Sequence, residues 1–170
     1  SGTDDTAQYN TAYGLTALDA ITTGDNITAV GHNALGANTS GSDNTAFGVN
    51  ALAANTTASS NIAFGYLSAS ANTTGTRNVA IGSLAYRNSD TENDNLAIGY
   101  AAMTTDTAGG TRNIAVGNYA LDALTSGDDN VAVGYDAGSA ITTGGSNTLV
   151  GRDAGKTATT VSGNTAVGDS

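Results

Sequence analysis

The amino-acid sequence predicts an all-β fold, a β-solenoid or parallel β-roll of about ten coils with a 17-residue period. Three observations lead there. A phrase of Asn, any residue, Ala, a large apolar residue and Gly returns along the whole chain, as in "NTAFGVNALAANTTASSNIAFGYLSASANTTGTRNVAIG" from Asn44 to Gly82. The closing glycine recurs as Gly14, Gly31, Gly48, Gly65, Gly82, Gly99, Gly117, Gly134, Gly151 and Gly168, 17 residues apart except for 18 between Gly99 and Gly117. The 170 residues include 23 Gly, no Pro and only 5% aromatics, so the apolar content is mostly Ala, Val, Ile and Leu, too small to fill a thick interior.

The array covers residues 1–170 as one unit, a partial repeat over 1–9 followed by ten registers, and the expectation is a slice of a longer fibre. Written once, the repeat reads N-x-A-z-G-x-x-A-L-x-A-x-T-T-G-x-x, with z Val, Ile, Phe or Tyr. Its period is too short for paired-helix repeats. The x-A-z segment alternates, is β-branched and ends at Gly, which predicts a short strand. The A-L-x-A segment suits a strand or a single helical turn, and a coil of two short strands and two bends favours the strand. Thr-Thr-Gly and Thr-Ser-Gly read as a turn. Stacked at the strand spacing, ten coils make a rod roughly 48 Å long.

In a solenoid each repeat position becomes a column. The large apolar column, with Phe47, Phe64, Ile81 and Ile98, and its partners two residues earlier, such as Ile62 and Val79, are expected to form one buried stripe. The Ala between them, from Ala12 to Ala166 with Leu149 as the exception, points the other way, and a uniform small column suggests a second chain packed against it. The converse assignment, Ala to the lumen and the large residues to a partner, leaves both faces apolar as well. Self-association follows from either, as a homotrimer or a filament.

Asn44, Asn61, Asn78, Asn95, Asn113 and Asn130 are expected to stack as an amide ladder, with Ile27 replacing Asn in one register. Gly48, Gly65, Gly82, Gly99, Gly117 and Gly134 mark a bend that needs positive φ or close backbone approach. The place before Asn carries Asp43, Arg77, Asp94, Arg112 and Asp129, a charge ladder whose expected role is to hold register, since exposed pairs contribute only a few tenths of a kcal/mol each. The Thr column Thr22, Thr39, Thr56, Thr73, Thr107, Thr125, Thr142 and Thr159, and Tyr66, Tyr100 and Tyr135 after the glycines, are the candidate surfaces for a glycan, a receptor or ice.

Other chemistry finds little support. A net charge of −10, from 15 acidic and 5 basic residues, argues against nucleic acid, and no apolar run is long enough for membrane insertion. There is no Cys and His32 is the sole histidine, so no zinc site or His-dependent triad assembles, and no cofactor or dedicated metal site is expected. "GRDAGKT" has one residue too few between its glycines for a P-loop. Asp90, Glu92 and Asp94, in the most irregular register, are the one carboxylate cluster that polysaccharide cleavage could use, and a charged loop explains them better. Asn-x-Ser/Thr triplets stand at Asn26, Asn38, Asn55 and Asn72.

The unit "NTAFGVNALAANTT" resembles the N-T-A-x-G-x-x-A-L-x-x-N-T-T-G repeats of phage-type tail-fibre and bacterial surface-fibre proteins, over the whole chain and at the same spacing. More distantly, "NVAIGSLA" is similar to the heads of trimeric autotransporter adhesins, which use a somewhat shorter repeat. The resemblance implies a trimeric β-solenoid forming a fibre shaft or adhesive head, extracellular, on the cell surface or on a virion. The expected function is accordingly structural and non-enzymatic, in support of attachment, with a glycan- or ice-binding solenoid using the Thr column as the alternative.

Overall fold

The computed structural model describes residues 7–105 and 110–169, and these form one parallel sheet with every coil stacked on the last. The strands are β1 Thr11–Tyr13, β2 Thr28–Val30, β3 Thr45–Phe47, β4 Ile62–Phe64, β5 Val79–Ile81, β6 Leu96–Ile98, β7 Ile114–Val116, β8 Val131–Val133, β9 Thr148–Val150 and β10 Thr165–Val167. They pair in sequence order, and equivalent residues face each other: Ala46 against Ala63, Ala63 against Ala80. At β6 and β7, Ala97 pairs with Ala115, so the extra residue of that coil is absorbed outside the strand.

The strand faces are the reverse of the leading expectation. Ala46, Ala63, Ala80, Ala97, Ala115 and Ala132 are fully buried inside the coil, whereas the flanking large residues point outward, with Phe64 52% exposed and Phe47 45%. The reason is volume. A coil this small has room for a methyl group at that place and not for a phenyl ring. The rest of the core comes from a second Ala column, including Ala34, Ala51, Ala85 and Ala102, and from Leu18, Leu35, Leu52, Met103 and Leu121 beside it. Each such large side chain contributes about 1.5–3 kcal/mol by burial.

Leu149, the exception in the strand Ala column, is explained by its neighbours. The position taken by Leu in other coils is Gly138 and Gly155 here, and a Cβ built on Gly138 would meet Leu149 Cδ1 at 2.9 Å, one on Gly155 Leu149 Cδ2 at 2.9 Å. The leucine side chain occupies from the strand the space that the missing ones would have filled.

The A-L-x-A segment is not a strand; it is a run of turns. Its second and fourth residues after the strand-closing glycine have positive φ, as at Asn50 (57°) and Leu52 (50°), and a third such residue precedes each Asn, as at Ser60 (63°). This left-handed conformation costs an L-residue roughly 1–2 kcal/mol. What offsets it is the direction it gives the peptides: the Asn50 N–H donates back to His32 O at 2.9 Å, while the Leu52 N–H donates forward to Ser68 O at 3.1 Å. The segment thus bonds to the coils on both sides without extended dihedrals, and its buried backbone is satisfied.

Gly48 shows why the strand ends in glycine. Its φ is 141°, and a Cβ there would run into the carbonyl of Gly65 in the next coil. Gly is the residue without strain in that geometry.

Candidate functional site

The side chains singled out above fall into two groups, stacked ladders that hold the coils together and outward surfaces free to meet a partner. In the ladder, Asn61 is completely characteristic: its Nδ2 donates to Gly75 O at 2.8 Å, and its Oδ1 accepts the Asn78 N–H at 2.9 Å. The same two bonds recur at Asn113, to Gly127 O at 2.8 Å and from the Asn130 N–H at 2.9 Å. An amide suits the place because it offers a donor and an acceptor at once, and the peptide groups it serves are buried.

A second amide ladder went unread in the sequence. Asn38, Asn55 and Asn72 are fully buried, with Asn55 Nδ2 donating to Asn38 Oδ1 at 2.7 Å and Asn72 Nδ2 to Asn55 Oδ1 at 3.2 Å. It ends at Ser89, whose shorter side chain leaves Asn72 Oδ1 and Ser89 Oγ buried without a partner. Burial also removes Asn38, Asn55 and Asn72 as glycan acceptors in the folded chain. Of the four triplets only Asn26 is exposed, with its Nδ2 bonded to Asp43 Oδ1 at 3.1 Å.

A third ladder lies just outside. Ser42 Oγ accepts the Asp25 N–H at 3.0 Å, Ser59 Oγ the Ser42 N–H at 3.0 Å, Asn93 Oδ1 the Thr76 N–H at 2.7 Å and Asp128 Oδ1 the Thr111 N–H at 2.7 Å. The signal for it was present as a column of short side chains bearing oxygen, two places before Asn.

The charged column forms separate pairs. Arg77 Nε and Nη2 grip Asp94 at 2.5 and 2.9 Å, and Arg112 grips Asp129 at 2.6 and 3.0 Å. Hydrogen bonding from the guanidinium holds the Asp94 and Asp129 carboxyls below the usual carboxylate range. Asp43 has the amide of Asn26 instead.

Asp90, Glu92 and Asp94 do not converge on one cleft. Asp90 is exposed, Asp94 is held by Arg77, and Glu92 is buried with Oε2 accepting the N–H groups of Asp90 and Thr91 at 2.9 and 3.1 Å. The "GRDAGKT" stretch lines a shallow depression with Asp153, Gly155, Lys156 and Thr157. There Lys156 Nζ is bonded to Asp153 at 2.8 Å and Asp136 at 2.9 Å, which raises its pKa and surrounds it with carboxylates that repel a phosphate. Among the described residues no group of three or more His, Cys, Asp or Glu is placed to hold a metal, and no helix is long and apolar enough to cross a membrane.

The Thr column is part of the frame. Thr22, Thr39, Thr56, Thr73, Thr125 and Thr142 each donate the side-chain hydroxyl to the carbonyl of the next coil, at 2.8 Å for Thr22 and 3.0 Å for Thr39. Their hydroxyl protons are committed to the frame, and what the column offers a partner is the remaining oxygen lone pairs. Thr107 lies outside the described residues. Tyr66, Tyr100 and Tyr135 stand outward, one residue past the strand-closing glycines. Tyr119 packs edge-on to both neighbours, 5.4 Å from Tyr100 and 6.0 Å from Tyr135 between ring centres. Burial, followed by those rings and Asp136 and Asp122, pushes the Tyr119 hydroxyl pKa up.

The outward strand face is the other surface. Phe47 and Phe64 stack at 4.7 Å with their planes 8° apart. Ile62, Ile81, Ile114, Val133 and Val150 extend the apolar surface along adjacent coils, each more than a third exposed. At strand geometry the ten three-residue strands present a planar area on the order of 400 Å², its outward residues apolar on both sides of Ala from β4 to β8 and carrying Thr11, Thr28, Thr45, Thr148 and Thr165 in the coils towards the two ends. Comparison with protein-family models, curated proteins and solved structures yields no match, so the functional reading rests on this geometry.

Proposed function

We propose that the chain is a non-enzymatic structural protein, a shaft segment of an extracellular, cell-surface or virion fibre that supports attachment, built by packing copies of itself through the outward strand face. The observation that carries this reading is the bare face. Parallel sheets are ordinarily covered on both sides, and here the coil covers one while Phe47, Ile62, Phe64, Ile81, Ile114 and Val133 stand open on the other. The ladders suit the same role, because each coil bonds to the next by backbone and side chain alike, which makes the stack stiff along its axis. The repeat's resemblance to tail-fibre and surface-fibre repeats supports the location.

The test is sedimentation velocity and native mass spectrometry on the wild type and on Ile81→Asp, a substitution that puts a charge on the outward face without entering the core. The expected result is a trimer, or a longer filament, that Ile81→Asp converts into a folded monomer with an unchanged far-ultraviolet spectrum. A wild-type protein that stays monomeric at micromolar concentration overturns the proposal.

A further inference from the structure

The tyrosines beyond the strand lie outside the core, although Tyr119 links Tyr100 and Tyr135 across successive coils. The row they belong to runs Tyr66, Ser83, Tyr100, Asn118, Tyr135, so that an aromatic ring and a small polar side chain alternate coil by coil. The three rings are 53%, 44% and 50% exposed, and none of them belongs to the buried core. Coils spaced at about 4.8 Å put successive tyrosines about 10 Å apart.

That spacing is the length of a disaccharide unit in an extended β-linked polysaccharide, whose alternate sugar rings present the same face at the same interval. Aromatic side chains offer a rigid apolar surface for the C–H face of a sugar together with a polar tip. Between the rings, Ser83 carries a hydroxyl. Asn118 spends its Oδ1 on the Tyr100 N–H at 2.8 Å, which leaves its Nδ2 to donate to a sugar oxygen. Tyr119 wedges between the rings of Tyr100 and Tyr135 and fixes their separation.

We infer that the Tyr66, Tyr100 and Tyr135 row is a binding site for a neutral, extended β-linked polysaccharide lying parallel to the solenoid axis. Neutrality follows from the chain's overall charge of −10, because beside the row Asp136 and Asp153 share Lys156, the next place after Tyr135 is Arg152 paired with Asp169, and among the described residues no cation is left free there for an anionic sugar. A polyanionic glycan is repelled there. The site is independent of the strand-face reading, since it lies outside the three-residue strands.

Affinity electrophoresis in native gels containing hydroxyethylcellulose, mixed-linkage β-glucan or xylan tests it, with dextran, soluble starch and polygalacturonate as comparison gels. Retardation is expected in at least one neutral β-linked gel and in none of the comparison gels. Tyr→Ala at positions 66, 100 and 135 is expected to weaken apparent affinity by about two- to tenfold for each ring removed, and Tyr→Phe to retain most of it. Native mass of the triple Ala variant is expected to match the wild type. Absence of retardation in every β-linked gel, equal retardation in the α-linked gels, or a triple Ala variant that binds as the wild type does each overturns the inference. So does a triple variant that changes assembly mass, because the row then belongs to a contact between copies.

Discussion

Replacing Asn113 with Ala is expected to destabilise the protein more than replacing Asn61 with Ala, although both remove the same buried side chain from the same column. In each case the N–H of the next ladder residue, Asn130 or Asn78, loses its acceptor. The carbonyls differ. Gly75 O keeps a second donor in Asn72 Nδ2 at 3.0 Å, whereas Gly127 O has Asn113 as its amide donor and Leu124 where the second amide would stand. An orphaned buried peptide group costs about 1–3 kcal/mol, so Asn61→Ala should cost about 1–3 and Asn113→Ala about 2–6 kcal/mol. The volume deleted is the same, so the cavity contribution largely cancels in the comparison. The difference of about 1–3 kcal/mol corresponds to roughly 2–12 °C in thermal midpoint for a chain of this size. Paired thermal and urea melts in one buffer measure it. Equal losses, or a larger loss for Asn61→Ala, would refute the reasoning that the inner amide ladder shares the carbonyls.

Ser89→Asn extends that inner ladder, giving Asn72 Oδ1 a donor, and should raise stability by about 1 kcal/mol in urea melts; a fall would show that the Glu92 side chain leaves no room. Leu149→Ala should cost about 3–5 kcal/mol by opening a cavity beside Gly138 and Gly155, and adding Gly155→Leu should recover part of it; a double-mutant cycle with no coupling contradicts the size compensation. Burial and the neighbouring Asp136 raise the Asp122 pKa. A group raised on folding favours the folded state when protonated and disfavours it as pH rises through the folded value, so Asp122→Asn should raise the midpoint at pH 7 and leave it unchanged well below the carboxylate range. Asp94 runs the other way: its pKa is depressed by Arg77, so its small contribution is present above the ordinary Asp value and fades as pH falls below it, and Arg77→Ala should lower stability at neutral pH by no more than the screened contribution of a surface pair.

Much of the coil is legible in the chain because spacing is the information that survives without coordinates. A glycine every 17 residues, an Asn four places ahead of it and a β-branched triplet between them require equivalent residues to stack, and the register Ala46 to Ala63 to Ala80 is that stacking. Periodicity could not say which face of the triplet turns inward, because a strand with Ala on one side and Phe or Ile on the other is apolar both ways. The enclosed volume decides that, and it admits Ala63 and excludes Phe64. Nor could it reveal the left-handed turns at Asn50 and Leu52, since Leu has no local preference for positive φ and adopts it only where the coils above and below supply partners for its peptides. The inner ladder of Asn38, Asn55 and Asn72 was hidden for a related reason: in the sequence these residues are only Asn-x-Ser/Thr triplets at one repeat position, and their burial appears once the chain closes over them. The sequence by itself determined the period, the parallel stacking and the amide column; the tertiary structure decided inside from outside, because that choice depends on how much space one coil encloses.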